Sequence, residues 1–254
     1  MHDGTLVAVC AHADDAELNA GGTLAKWAAG GGDVHILMVT NNCSGNIIPP
    51  SGDERAARRL RPAETMAIRR AEQEAAAALI GARVHWLDYC QRHFWDGERD
   101  VSEGYGNNPV PREIADHPPL LIAYREPEHI ERLAELLVTL KPAIVLTQPV
   151  VDLDPEHHAV AAMAWAAFHR RKADLDGVPL RCWAPGSSCP DGIIDPGYDH
   201  IEDITGFYER KLELFACHAS QATSRRIEMI RRRAAQWGKA IGVRYAEPFT
   251  TANV

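Results

Sequence analysis

Three ionisable side chains, His12, Asp14 and Asp15, stand at the end of an apolar run, TLVAVCA, which covers residues 5–11. The run indicates a buried strand, and ionisable groups at the end of a strand are costly to bury unless something pairs with them. His12 and Asp15 are three positions apart, so one tight turn can direct both at a single point while Asp14 points elsewhere. The imidazole and one carboxylate can therefore hold a metal ion, and the other carboxylate remains available to handle protons.

A third ligand should come from another strand end, because a catalytic zinc typically takes three protein ligands at about 2.0–2.2 Å and leaves one position for water. The apolar run AIVLTQPV is followed by VDLDPEHHAV, an acidic, histidine-bearing turn that opens a helix. Either His157 or His158 could reach the ion. Neighbouring helical residues diverge by about 100°, so we expect only one of the two to do so.

Strand-like and helix-like segments alternate along the chain, which predicts a parallel sheet covered by helices on both faces. The expected class is α/β, Rossmann-like and doubly wound, in one domain over residues 1–254. In such a sheet, ligands bind beyond the carboxyl ends of the strands, where His12, Asp14 and Asp15 lie. The expected strands are 5–11, 33–40, 83–89, 143–150 and 180–186, and the expected helices are 15–31, 61–81, 126–142, 156–172, 203–219 and 220–240.

The composition argues against several classes of protein. With 46% hydrophobic and 24% charged residues the chain is globular, and its formal net charge of -8 disfavours general nucleic-acid binding. We expect no membrane span, because no run of 18 apolar residues is present, and no signal peptide, because the first residues lack a basic region and a cleavage site. No C-x-x-C pair occurs, so we expect reduced, buried thiols in a cytoplasmic protein at Cys10, Cys43, Cys90, Cys182, Cys189 and Cys217.

A long irregular segment covers residues 90–120, and segments of this length within a domain are usually functional or disordered. Its aromatic residues Phe94, Trp95 and Tyr105 could line a substrate cleft or pack locally. Two basic runs, 55–61 and 225–233, are expected to be solvated faces.

The segment AHADDAELNAGGTLAKW, residues 11–27, resembles the A-H-P-D-D-x-E and G-G-T signature of the PIG-L/LmbE-like zinc-dependent N-deacetylases. Four further segments resemble family motifs in the same order. IRRAEQEAAAALIGA resembles the R-x-x-E helix and DPEHHAV the H-P-D-H-x-A-V motif, while KLELFACHASQ resembles the K-x-x-A-x-x-x-H-x-S-Q segment and GVRYAEPF the Y-A-E-A-F ending. The ordered set is more specific than the first motif alone.

The resemblance implies zinc ligands at His12, Asp15 and His157, since the H-x-A-V spacing selects His157 over His158. It also implies that Asp14 is the general base. Other family positions fall on Arg69, near the metal site, and on His218, near the pocket. Arg69, Trp95 and Tyr245 are our candidates for substrate binding.

Two departures from the family pattern bear on the chemistry. Asp154 stands where the first His of H-P-D-H is expected, and Glu156 replaces its Asp; Ala13 replaces a Pro, which should only loosen the turn. In the family that His is thought to polarise the substrate carbonyl or to shuttle a proton. An Asp cannot donate a proton at neutral pH unless its pKa is raised. Either another group takes this role, with Tyr245 and His218 as candidates beside Asp154, or the chemistry is tuned to a different substrate.

The expected function is metal-dependent removal of an acetyl group from an N-acetylglucosamine-type amino sugar or its conjugate, which releases acetate and a free amine. Zinc is the expected metal, although a site of two histidines and a carboxylate also accepts iron or another divalent ion. The partner is a small amino-sugar substrate, chosen by the 90–120 loop and a helical part at 203–240. The family is often oligomeric, so a homo-oligomer is one possibility.

Three alternatives remain open. The chain could be a non-catalytic or altered-substrate metal- or sugar-binding member of the fold, or an amidase acting on a non-sugar amide. A nucleotide-binding oxidoreductase would use Gly21 and Gly22 in a phosphate loop, but no G-x-G-x-x-G is present and both glycines lie well inside a helix. We therefore expect Gly21 and Gly22 to allow close helix packing.

Overall fold

A computed structural model of the chain describes residues 4–102, 110–149, 151–185 and 197–254. The strands are β1 (Thr5–Cys10), β2 (Asp33–Thr40), β3 (Asn46–Ile47), β4 (Arg58–Arg59), β5 (Arg83–Tyr89), β6 (His93–Trp95), β7 (Asp100–Ser102), β8 (Pro142–Thr147), β9 (Leu180–Trp183), β10 (His200–Asp203) and β11 (Ala246–Thr251). The helices are α1 (Asp15–Ala29), α2 (Pro62–Ala78), α3 (Leu120–Ala123), α4 (Pro127–Leu140), α5 (Pro155–Arg170), α6 (Tyr208–Ala216) and α7 (Ser224–Ile241).

Seven strands form the central sheet in the order β5-β2-β1-β8-β9-β11-β10. The first five run parallel, while β11 is antiparallel to both of its neighbours. The predicted α/β class with a mainly parallel sheet is confirmed. The antiparallel pair β10 and β11 was not predicted, because Glu247 and Pro248 interrupt the apolar pattern of β11, and proline is unusual inside a sheet.

Helices cover both faces of the sheet, as predicted. Alternate residues of β1 point to opposite faces, so Val7 and Val9 pack against α4 and α5, whereas Leu6, Ala8 and Cys10 pack against α1 and α2. A third apolar cluster joins α1 to α6 and α7, which pack against the side of α1 that faces away from the sheet. The central strands β1, β2 and β8 are therefore buried on both faces, which explains why they are largely apolar runs.

The strand order reverses direction beside β1. From β1 the chain passes through α1 to β2 on one side, and from β8 it passes through α5 to β9 on the other. A crevice therefore opens at the carboxyl ends of β1 and β8, which is the usual ligand-binding position in open α/β sheets.

Gly21 and Gly22 serve helix packing, as predicted. A Cβ atom added at Gly22 would lie 2.7 Å from Ile204 Cδ1, and one added at Gly21 would lie 3.2 Å from Lys211 Cγ. Both glycines stand in the interior of α1, where they let Ile204 and, in α6, Lys211 approach the helix closely.

Part of the segment 90–120 forms regular structure among the residues described, 90–102 and 110–120. It contains the β6–β7 hairpin, a short 3-10 turn at Arg112–Ile114 and the start of α3. Phe94 is fully buried in a small core with Cys43, Cys90, Val101 and Ile114, so it packs locally.

The remaining expectations concern Tyr105, the cysteines and membrane-spanning helices. Tyr105 and Cys189 lie outside the described residues. Four of the other cysteines are buried, as predicted, and Cys217 is partly exposed. Among the described helices, none combines the length and the hydropathy that crossing a membrane requires.

Candidate metal centre and active site

The carboxyl ends of β1 and β8 bring His12, Asp15 and His157 together. His12 Nδ1 lies 3.2 Å from His157 Nε2 and 3.7 Å from Asp15 Oδ2, and His157 Nε2 lies 3.4 Å from Asp15 Oδ1. Tetrahedral zinc with bonds of about 2.0–2.1 Å would place neighbouring ligand atoms about 3.3–3.4 Å apart. The three donors therefore fit a metal ion of this kind, while the adjacent His158 is exposed.

Each of the two proposed ligand histidines, His12 and His157, has a carboxylate at its other ring nitrogen. Glu156 Oε2 lies 2.6 Å from His12 Nε2, and Asp152 Oδ2 lies 3.1 Å from His157 Nδ1. Because a carboxylate only accepts, each imidazole donates to it and directs its second nitrogen at the common point. Carboxylates in this position orient the imidazole and raise its basicity towards a metal.

The charges of the site favour a bound cation. Burial lowers the pKa of His12, but the hydrogen bond that His12 donates to Glu156 and the charge of Asp15 outweigh this effect and raise the pKa above its usual value. Burial likewise lowers the pKa of His157, and the charge and hydrogen bond of Asp15 raise it well above normal. Burial raises the pKa of Asp15, yet the neighbouring imidazoles bring it below its usual value. Protons and a metal ion therefore compete for the same lone pairs.

Asp14 precedes α1 in a left-handed backbone conformation, with φ 95° and ψ -21°. Such a conformation costs an L-residue roughly 1–2 kcal/mol, although Asp tolerates it better than most residues. The side chain is buried and faces two guanidinium groups, with Arg226 Nη1 2.8 Å from Oδ2 and Arg69 Nη2 3.6 Å from Oδ1. Arg69, on α2, is itself buried and also donates to the carbonyl of Ala13.

The prediction that the basic run 225–233 is a solvated face is wrong for Arg226. Arg226 stands four and eight positions before Ile230 and Ala234, both buried, so it begins the inward face of α7. That spacing was a signal in the sequence. Asp152 was also missed; its side chain is fully buried between the exposed residues Val151 and Leu153.

A cavity of about 220 Å³ opens onto these groups. Its lining comprises the three potential metal ligands, Asp14 and its two arginines, and further residues from five segments: Leu18, Ser44, Gly45, Gln91, Arg92, His93, Asp154, Glu156 and Gln221. Burial lowers the pKa of His93, and the charge of Arg92 lowers it further, so His93 is neutral near pH 7. Apart from Leu18 and Gly45, all of the residues that line the cavity are polar or charged.

Arg92 accounts structurally for both acidic departures from the family motif. Asp154 Oδ1 accepts from Arg92 Nη1 at 2.7 Å and from the backbone N–H of Glu156 at 2.9 Å, which caps α5. The backbone N–H of Arg92 in turn donates to Glu156 Oε1 at 2.5 Å. Asp154 is therefore an acceptor in an ion pair, and the guanidinium beside it is the donor that faces the cavity.

Three other candidates do not line the cavity. His218 is fully buried with its Nε2 3.3 Å from Glu17 Oε2. Tyr245 stacks on Tyr208, with ring centroids 3.7 Å apart. Trp95 lies in the β6–β7 hairpin, where it pairs with Asp100.

Two solved structures share this fold. GalB, the 4-carboxy-2-hydroxymuconate hydratase from Pseudomonas putida KT2440, is 21% identical with a TM-score of 0.68, over 99% of this chain and 97% of that one. N,N'-diacetylchitobiose deacetylase from Pyrococcus horikoshii is 23% identical with a TM-score of 0.67, over 98% of this chain and 83% of that one. At these identities the likeness concerns the fold, which carries more than one kind of chemistry.

Sequence comparison identifies a relative and a family. A protein of Actinosynnema mirum named 1D-myo-inositol 2-acetamido-2-deoxy-alpha-D-glucopyranoside deacetylase is 28% identical over 245 residues, which cover 86% of this chain and 81% of that protein. The model of the family described as PIG-L: GlcNAc-PI de-N-acetylase matches residues 7–168, well over half of the chain. The protein therefore belongs to the PIG-L family of GlcNAc-PI de-N-acetylases.

Proposed function

We propose that this protein is a metal-dependent hydrolase that removes the acetyl group from an N-acetylglucosamine-type amino sugar or its conjugate, releasing acetate and a free amine. The observation that carries the proposal is the convergence of His12, Asp15 and His157 at one cavity with the buried carboxylate of Asp14. Membership of the PIG-L family and the name of the A. mirum relative support the same substrate class.

His12, Asp15 and His157 would hold the ion, and we propose zinc because two imidazoles and a carboxylate at these distances suit its tetrahedral preference. A bound zinc would supply Lewis acidity, which polarises the amide carbonyl and makes water a stronger nucleophile. Iron(II) is the alternative, since the same donor set also serves that ion.

Asp14 is the proposed general base. Its carboxylate accepts a proton from the attacking water and then delivers that proton to the departing amide nitrogen, so that a neutral amine leaves. Arg92 is the proposed donor to the oxyanion that develops on the substrate carbonyl, because Asp154 holds its guanidinium at the cavity. This assignment replaces Tyr245 and His218, which do not line the cavity.

The cavity volume limits what enters. About 220 Å³ lies below the roughly 300–1,000 Å³ of pockets that enclose drug-sized ligands. We infer that the acetamido-bearing sugar enters and that the remainder of a larger conjugate stays at the mouth. We further propose that residues 1–254 act as one deacetylase domain and, on the strength of the buried thiols, that it works in the cytoplasm.

The test is a screen of N-acetylglucosamine, its inositol conjugate and N,N'-diacetylchitobiose for release of primary amine. Enzyme stripped with chelator should be inactive, and re-addition of zinc or iron(II) should identify the metal that restores activity. Asp14→Asn should keep the metal and lose turnover by orders of magnitude. If the metal-loaded protein binds these sugars and releases no amine from any of them, the non-catalytic alternative holds.

A further inference from the structure

We propose that Arg226, on α7, is a positioning residue that holds the carboxylate of Asp14 in its working orientation. The inference rests on the proposed role of Asp14 and assigns part of the site to the C-terminal third of the chain. Arg226 lies beyond residues 7–168, so the matched family region does not contain it. Its spacing to Ile230 and Ala234 places Arg226 on the inward face of α7, and the packing of that helix brings it to Asp14.

The contact between the two residues is direct. Arg226 Nη1 lies 2.8 Å from Asp14 Oδ2, within the range of a charge-assisted hydrogen bond. The same nitrogen lies 3.3 Å from the carbonyl oxygen of Gln221 and 3.4 Å from its Oε1. Gln221 is tied in turn to the carbonyl oxygen of Asn46 at 2.7 Å. The guanidinium of Arg226 is therefore fixed by contacts with both Asp14 and Gln221.

The start of α7 is anchored as well. Thr223 caps the helix by accepting from the backbone N–H of Arg226 at 3.1 Å. Glu54 Oε1 accepts from the backbone N–H and the hydroxyl of Ser224, at 2.7 and 2.9 Å. One turn on, Ile230 is buried in the cluster that joins α7 to α1. Because the start of α7 is anchored, Arg226 is held in place, and its hydrogen bond fixes Asp14, the residue that precedes α1.

Arg226 is the closer of the two cationic contacts of Asp14. Arg69 stands 3.6 Å from the other carboxylate oxygen and gives its Nη2 to the carbonyl of Ala13. If Arg226 is removed, Arg69 is the remaining cation in an ion pair with Asp14 among the described residues, at 3.6 Å from Oδ1, and the carboxylate can rotate. A general base displaced by about 1 Å can lose roughly 100-fold in rate.

The alternative is that Arg226 leaves Asp14 and binds an anionic group on the substrate. The two roles separate kinetically. Loss of a positioning residue lowers kcat and leaves KM nearly constant, whereas loss of a substrate anchor raises KM with kcat unchanged.

The experiment compares Arg226→Gln and Arg226→Lys with Arg225→Gln, an exposed arginine on the same helix. We expect Arg226→Gln to bind one metal ion per chain, to keep KM within about twofold and to lower kcat by about 10- to 100-fold. Arg226→Lys should recover part of kcat, and guanidinium salts should rescue Arg226→Ala. Arg225→Gln should resemble the parent enzyme. An unchanged kcat, or a raised KM with full kcat, overturns the proposal.

A crystal structure of metal-loaded Arg226→Gln separates this proposal from the proposed function. A rotated Asp14 carboxylate in that variant supports positioning even if the parent protein hydrolyses none of the amino sugars tested. An Asp14 carboxylate that keeps its place overturns it. A parent protein without deacetylase activity contradicts the proposed function and does not alter this reading of the geometry.

Discussion

Glu156 Oε2 accepts a hydrogen bond from His12 Nε2 at 2.6 Å, although the two residues are 144 positions apart in the chain. Burial raises the pKa of Glu156, but the hydrogen bond from His12 and the positive charge of that imidazole bring it down to about 2. The lowered pKa favours the ionised form of Glu156 near neutral pH. Glu156 departs from the family motif, and it orients the proposed metal ligand His12 by accepting a hydrogen bond from Nε2 of that imidazole.

Loss of Glu156 should weaken metal binding. Glu156→Ala removes the acceptor for His12 Nε2, and we expect metal affinity to fall by about 10- to 100-fold. Glu156→Gln keeps an acceptor oxygen and should lose less. Competition with a chromogenic chelator measures both, with the exposed Glu228→Gln as control. Unchanged affinity in Glu156→Ala would show that His12 is oriented by other contacts.

Substitution of the two neighbouring histidines of α5, His157 and His158, should have opposite effects on metal retention. His157→Asn removes a donor that lies 3.2 Å from His12 Nδ1, so the protein should no longer retain stoichiometric metal. His158→Asn should retain it, because His158 is exposed. Elemental analysis after dialysis decides the point. Metal loss in His158→Asn alone would move the ligand by one position.

Metal binding should release protons, and its affinity should rise with pH. The pKa values of His12 and His157 are raised above their usual value near 6.5, so a metal ion must displace protons from this pair at that pH. We expect proton release on metal binding at pH 6.5, and less release as the pH rises through the raised pKa values. Calorimetry in buffers of different ionisation enthalpy counts these protons. Release of none would contradict the assigned ligand pair.

Arg92 should matter for turnover more than for binding. If its guanidinium stabilises the developing oxyanion, Arg92→Gln should lower kcat by about 100- to 1,000-fold while metal content is unchanged. Steady-state kinetics with the best substrate of the screen measures this. Arg99→Gln, on the exposed turn between β6 and β7, is the matched control. Full kcat in Arg92→Gln would return the electrophilic role to another group.

Lys211 and Glu247 form a buried ion pair that joins α6, β11 and α1. Glu247 also accepts from the backbone N–H groups of Gly22 and Thr23, at 3.0 and 2.8 Å. Lys211→Met leaves this carboxylate buried without its cation, so the free energy of unfolding should fall by about 3–5 kcal/mol.

Urea denaturation measures the change, and Arg210→Met, at an exposed site on the same helix, should change stability by less than about 1 kcal/mol. The double variant Lys211→Met, Glu247→Gln should lose less stability than the sum of the two single variants, because no unpaired charge remains. Additive losses would mean that the two side chains act independently.

The parallel strands were predictable because their signal is local. β2 and β5 coincide with the predicted segments. For β2 the reason is that a strand buried on both faces needs an apolar run, whereas β5 lies at the edge of the sheet and is buried only at Leu87 and Tyr89. The same reasoning identified the turn that carries His12, Asp14 and Asp15, because ionisable residues at a strand end are costly without a partner. The residues alone left His157 and His158 as alternatives, and the resemblance to the family selected His157.

What the sequence by itself determined is therefore the α/β architecture and the residue types at the carboxyl ends of β1 and β8. Only the tertiary structure decided which distant side chains reach them: Asp152 and Glu156 behind the histidines, Arg92 beside Asp154, and Arg226 on Asp14. It also decided that His218 and Tyr245 turn away from the cavity. The physical reason is that these contacts depend on the angle and depth at which α5, α6 and α7 pack against the rest of the fold, and a local pattern of polar and apolar residues contains neither quantity.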